Sequence, residues 1–152
     1  MTTQLPLPTP QQRQDVADRL EGIIDALIEH PKWENPPNKN PTLYHVWDFV
    51  MRSKYMLSEY QNVKDGKSVQ YPSQFSGQVG KGSGDQAALV VFQDVCSRTM
   101  MLDLLVNDTS GKTAMLTGNT GPPLDFGQKV KDAVKALEAA CPSDAVMAGM
   151  MR

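Results

Sequence analysis

The stretch at 86–106, QAALVVFQDVCSRTMMLDLLV, decides the fold class of this 152-residue chain. Its apolar residues recur at intervals of three and four, which places their side chains along one face of a helix. It also contains two apolar, β-branched runs, 88–92 and 100–106, that are compatible with strands. Because the helical spacing persists over about five turns, we expect one helix and a mainly α fold, with two strands and an α+β fold as the alternative.

Proline and polar residues mark the starts of further helices. Thr9 is a suitable N-cap, Pro10 fits the first helical position, and Gln12 stands where a capping box requires it. Asn40 and Pro41 give a similar signal for a second helix. Together with the apolar periodicity, these signals predict four helices, near 10–29, 41–60, 86–106 and 125–141.

The segments between the helices predict a minor β contribution. An Asp-Gly pair between short alternating segments indicates a hairpin near 62–71, and 113–117 is a candidate short strand. The segment 72–84 is rich in Pro, Ser, Gln and Gly, so we expect a mobile loop there. A phosphate-binding loop is not indicated, because Gly82 follows Lys81 where that motif requires Ser or Thr.

The chain length is that of a single domain. We expect a flexible Pro-rich arm over 1–8, one globular domain over 9–141 and an apolar tail over 142–152. No apolar run is long enough to predict a transmembrane helix, and the N-terminus lacks the pattern of a secretion signal. We therefore expect a cytoplasmic or virion-associated protein.

The net charge of −2 is distributed unevenly. The segment 51–84 contains five basic and two acidic residues, whereas the segments before and after it have a net negative charge. This balance excludes a polybasic nucleic-acid coat, but it supports one alternative function, a nucleic-acid-binding accessory protein that uses the basic, aromatic-rich region 44–81. The residues that would bind nucleic acid are Arg52, Lys54, Lys64, Lys67 and Lys81.

Aromatic residues and methionines are concentrated in two places. Eight of the ten aromatic residues fall between 33 and 75, and three of the nine methionines fall within the last six residues. Such side chains are enriched at the centres of protein interfaces, although they can also supply the bulk of a core. The candidate partner-binding residues are Trp33, Tyr44, Trp47, Tyr55, Tyr60, Met147, Met150 and Met151.

The chemically reactive residues do not predict a catalytic centre. His30, His45, Cys96 and Cys141 lack the close spacing of a zinc module, so we expect neither a metal nor a cofactor. We expect both cysteines to be buried thiols. A small enzyme of unrecognised type, using His45 with Asp48 or Cys96, is the second alternative function.

The function favoured by these patterns is that of a non-enzymatic structural or assembly protein. Such a protein acts through protein–protein contacts, either with a partner protein or by self-association into a homo-oligomer. A small virion component or a subunit of an assembly complex is an example. No interaction with a membrane is expected, and nucleic acid is expected only under the alternative.

Overall fold

The computed structural model describes residues 6–34, 40–67, 84–108 and 123–151, and within these ranges the chain forms six α-helices and no strand. The mainly α class is therefore confirmed for the described residues, and 86–106 lies within one helix rather than two strands. The helices are α1 (Pro10–Ile28), α2 (Pro41–Ser58), α3 (Tyr60–Asp65), α4 (Asp85–Asn107), α5 (Gly127–Ala140) and α6 (Ser143–Met150).

The predicted hairpin near 62–71 is wrong in the part that the structure describes. Helix α3 occupies this position and ends at Asp65, and its C-cap is Gly66, whose φ of 73° is readily adopted by glycine. Tyr60 and Val63 are buried, and their spacing of three residues suits a helix that packs against α4. The rest of that hairpin, the predicted strand at 113–117 and all of the loop at 72–84 except Gly84 lie outside the described residues.

The predicted start signals of the first two helices are confirmed. The Thr9 hydroxyl accepts a hydrogen bond from the Gln12 amide at 3.1 Å, and the Gln12 side chain accepts one from the Thr9 amide at 2.8 Å. Asn40 accepts a hydrogen bond from the Leu43 amide at 3.0 Å. Helix α2 ends at Ser58 rather than near 60, and α3 follows it. These caps satisfy amide groups that a helix N-terminus otherwise leaves without partners.

Four long helices enclose the core. Helices α1 and α4 each pack against both α2 and α5, and the two short helices α3 and α6 pack against α4. Because α4 has neighbours on several sides, six consecutive residues, 88–93, are buried along it. The largest fully buried side chains include Leu20, Ile23, Leu27, Leu43, Val50, Met56, Phe92 and Leu137.

A largely buried arginine joins α4 to α2. Arg98 donates hydrogen bonds to the Ser53 hydroxyl at 2.7 Å and to the Phe49 carbonyl at 3.1 Å. Its guanidinium carbon lies 4.0 Å from the centroid of the Phe49 ring. Burial and the neighbouring charge of Arg52 lower the pKa of Arg98 to about 10, so it stays charged at neutral pH. These directional contacts fix the position of α4 along α2.

Candidate functional site

Helix α6 lies close against α4 because of a glycine. A Cβ atom at Gly149 would be 2.4 Å from the Gln93 carbonyl oxygen and 2.6 Å from the Ser97 Cβ, which is too close for either contact. Towards the start of α6, Ala145 lines a small cleft together with Phe92. Helix α6 therefore packs closely against α4 at the turn that contains Gln93 and Ser97.

Large apolar side chains remain exposed on these two helices and just after α6. Met100 and Leu104 of α4 are 48% and 53% exposed. Met147, Met150 and Met151 are at least half exposed. These five residues, which we call the methionine surface, are five of the seven large apolar side chains that are exposed within the described ranges. Three of them are predicted partner-binding residues, and the structure places all three at the C-terminal end of α6.

Met100 and Leu104 are the residues of this surface that the sequence analysis missed. They are four positions apart, so they share a face of α4, and neither belongs to the buried stripe of that helix. A second apolar line on the helical wheel of α4 is the signal that could have identified them. The sequence does not show that α6 would pack against α4.

The structure also brings together three of the predicted aromatic residues. The ring centroids of Trp33 and Trp47 are 6.3 Å apart, and those of Tyr44 and Trp47 are 5.8 Å apart. Tyr44 is exposed, whereas both tryptophans are partly buried against the core. Tyr55 is half-buried on α2, and Tyr60 is buried at the start of α3. The eight candidate residues therefore do not form a single surface.

Two of the predicted nucleic-acid-binding residues form ion pairs. The Arg52 Nε lies 2.7 Å from an Asp48 carboxylate oxygen, and Lys54 pairs with Glu21 of α1. Lys64 lies in α3, and Lys67 is exposed just after it. Lys81 lies outside the described residues. These carboxylates reduce the positive charge that Arg52 and Lys54 present to solvent.

The thiol of Cys96 is poorly suited to act as a nucleophile. Cys96 and Cys141 are both buried and form a hydrogen bond with each other. This hydrogen bond and burial raise the pKa of the Cys96 thiol, which keeps it protonated and unreactive at neutral pH. Burial lowers the pKa of His45, and Asp48 opposes this effect. Within the described ranges, no three His, Cys, Asp or Glu side chains are placed to hold a metal ion.

The second histidine has a structural position. The His30 Nδ1 accepts a hydrogen bond from the Lys32 amide at 3.0 Å, so the proton lies on Nε2 and is donated to the Asp125 carbonyl at 2.8 Å. His30 therefore connects the end of α1 to the residues that precede α5. A cleft of about 480 Å³ lies beside it, and an ion pair between Lys129 and Glu29 borders that cleft.

A second cleft lies at the other end of α1. It has a volume of about 410 Å³ and lies between α1 and the junction of α2 and α3. Arg13 lines this cleft with its guanidinium carbon 4.4 Å from the centroid of the Tyr60 ring. Burial raises the pKa of Tyr60, an effect that the positive charge of Arg13 opposes.

Comparisons of the chain with protein-family models, with curated proteins and with solved structures give no match. In the part of the chain that the structure describes, every helix is too short or too polar to cross a membrane.

Proposed function

We propose that this protein is a non-enzymatic assembly protein that associates with a second copy of itself through the methionine surface. The observation that carries this proposal is the concentration of exposed apolar side chains on α4 and α6. Exposed apolar patches of this kind mark interaction sites in proteins. Burying one large apolar side chain contributes about 1.5–3 kcal/mol, so a few of them supply much of the affinity of a dimer.

The charges around the methionine surface favour a second copy as the partner. Asp144 is the only charged residue of α6. Arg98 is the only cation of α4, and it faces α2. A nucleic acid would therefore meet no basic side chain on these two helices. Helix α4 also carries three carboxylates, Asp85, Asp94 and Asp103, which would repel the phosphates of a nucleic acid.

Methionine is well suited to an interface between two copies of the same surface. Its side chain is unbranched and flexible, so it adapts to irregular gaps at an interface. In a twofold dimer the same patch is used by both subunits, so five residues per chain bring ten apolar side chains together. A subunit of a virion or of another assembly complex is one form that this function can take.

Sedimentation velocity of the full chain, measured up to about 100 µM, tests this proposal. We expect a dimer or a larger species that dissociates on dilution. The double variant Leu104→Lys/Met147→Lys should be monomeric, because it places four unpaired charges in the dimer interface. Ile28→Lys is the matched control, since Ile28 is also about half exposed but lies on α1, and it should leave the association unchanged.

Two outcomes would overturn the proposal. One is a wild-type chain that remains monomeric over the whole concentration range. The other is an association that survives the double substitution but is lost in Tyr44→Ala, which would place the contact at the aromatic cluster instead. Circular dichroism of each variant distinguishes loss of association from loss of the fold.

A further inference from the structure

The cleft between α1 and the α2–α3 junction contains a cation without a partner anion. The Nε of Arg13 is buried, and it has no hydrogen-bond partner among the described residues. The contact that the structure gives this guanidinium is the face of the Tyr60 ring, which attracts a cation but accepts no hydrogen bond from Nε. Because this Nε has almost no accessible surface, a ligand in the cleft would contact the terminal nitrogens of the guanidinium, for which the structure gives no hydrogen-bond partner among the described residues.

No carboxylate side chain lines this cleft, although the charge of Asp85 acts on Tyr60 and raises its pKa. All seventeen Asp and Glu residues fall within the described ranges, and none of them lines the cleft or pairs with Arg13 there. Lys54, the second cation of the cleft, is paired with Glu21. The cleft at the opposite end of α1 differs, because its lining includes both Glu29 and Asp125. Of these two clefts, the one at Arg13 has only basic residues among the charged groups of its lining.

The other residues that line the cleft indicate the size and polarity of a complementary ligand. Ala17, Leu20 and Leu57 form an apolar part of the wall. Gln14 and Gln61 also line the cleft, and their side-chain amides donate hydrogen bonds to Asp18 and Asp65. A volume of about 410 Å³ falls within the range of small-molecule sites. The complementary ligand carries one anionic group and a short apolar portion.

We propose that this cleft binds a small organic carboxylate. The carboxylate accepts hydrogen bonds from the Arg13 guanidinium, which can pair with both of its oxygens. The apolar portion lies against Ala17, which is partly buried at the wall of the cleft, and the Tyr60 ring holds the guanidinium in place from the other side. This site lies on α1, α2 and α3, whereas the methionine surface lies on α4 and α6, so the two proposals stand or fall separately.

Titration of the full chain with hexanoate, followed by the chemical shifts of its amide and arginine Nε groups, tests the site. We expect saturable shifts centred on Arg13 and Tyr60 at ligand concentrations up to about 10 mM. Hexanol has the same apolar portion without the charge, so it should bind at least about tenfold more weakly. Equal affinities for hexanoate and hexanol, or shifts centred elsewhere, would overturn the proposal.

Substitutions of two arginines on the same helix sharpen this test. Arg13→Gln should weaken hexanoate binding by about tenfold or more, whereas Arg13→Lys should retain part of it, since lysine keeps the charge but loses the bidentate geometry. Arg19→Gln is the matched control, because Arg19 is exposed and outside the cleft. Wild-type affinity in Arg13→Gln would contradict the site. If that variant does not fold, the shifts in the wild-type chain still decide the question.

Discussion

Helices α1 and α4 both contribute to the core, but different forces hold them in place. Helix α1 begins with a capping box and buries one stripe, and exposed polar residues occupy much of its other side. Helix α4 begins at Asp85, its N-cap Gly84 has no side chain to cap it, and six consecutive positions along the helix are buried. Much of what specifies α1 is therefore local, whereas α4 depends on the helices around it. Perturbations of the two helices should accordingly have different consequences.

The largest effect is expected from truncating the centre of α4. Phe92→Ala should lower the free energy of unfolding by about 3–5 kcal/mol, because Phe92 is among the largest fully buried side chains and α4 contacts four other helices. Leu20→Ala is the comparison on α1 and should be less damaging. Urea denaturation measures both values. A larger loss for Leu20→Ala would show that α1, not α4, is the element on which the core depends.

Replacing a glycine by alanine should lower the stability of the protein in α6 and raise it in α1. Gly149→Ala should destabilise the protein by about 1–3 kcal/mol, because its Cβ would collide with the backbone of α4 and displace α6. Gly22→Ala on α1 should instead stabilise it by up to about 1 kcal/mol, since no atom lies within 4 Å of the added Cβ and alanine is the better helix former.

Thermal unfolding of both glycine variants checks these signs. A stabilised Gly149→Ala variant would contradict the close approach of α6 to α4. Gly149→Ala should also reduce the proposed self-association, because Met147 and Met150 of the methionine surface lie on α6 and Met151 directly follows it. Gly22→Ala should leave self-association unchanged.

A smaller effect is expected at the start of α1. Thr9→Ala removes one hydrogen bond of the capping box and leaves the Gln12 amide without its partner. The expected loss is about 1 kcal/mol, and hydrogen exchange should increase most in the first turn of α1. Thr9→Ser keeps the hydroxyl and serves as the control. A similar increase in exchange throughout α4 would mean that the cap acts on the whole bundle instead of on one helix end.

The same contrast explains which features the sequence could predict. Capping signals at Thr9 and Asn40 act within three residues, so their helices were predicted with nearly the observed starts. The Asp-Gly pair near α3 was misleading, because burial of Tyr60 and Val63 against α4 outweighs a local turn signal. That burial depends on a helix that begins about twenty residues later in the chain, which no local pattern encodes.

The candidate sites are limited in the same way. The methionines at the end of the chain indicated an apolar surface, but the packing of α6 against α4 at Gly149 and the exposure of Met100 and Leu104 are visible only in the fold. The contacts of Arg98 with Phe49 and Ser53 span more than forty residues of sequence. The unpartnered state of Arg13 likewise depends on where every carboxylate lies in the fold, so composition alone could not reveal it.

The smallest predicted effect is a pH dependence at the contact between α4 and α5. Burial raises the pKa of Glu138 above its ordinary value of 4.5. Asp103 of α4 raises it further, both through its charge and as a hydrogen-bond partner, whereas the positive charge of Lys135 lowers it. The contribution of this carboxyl pair to stability is therefore fully present below pH 4.5. It is lost as the pH rises through the raised value and Glu138 becomes charged beside Asp103.

Glu138→Gln should remove this pH dependence, because the amide can donate a hydrogen bond to Asp103 without titrating. The variant should gain stability relative to the wild type as the pH rises from 4 towards 7, by a small amount that thermal unfolding at several pH values measures. Glu29→Gln is the matched control, since Glu29 pairs with a cation, Lys129, and loss of its charge should bring no gain. If both variants gained equally at neutral pH, the effect would come from the net charge of the protein. A gain confined to Glu138→Gln would place it in the Asp103–Glu138 pair, where two carboxyls share a hydrogen bond that exists only while one of them holds a proton.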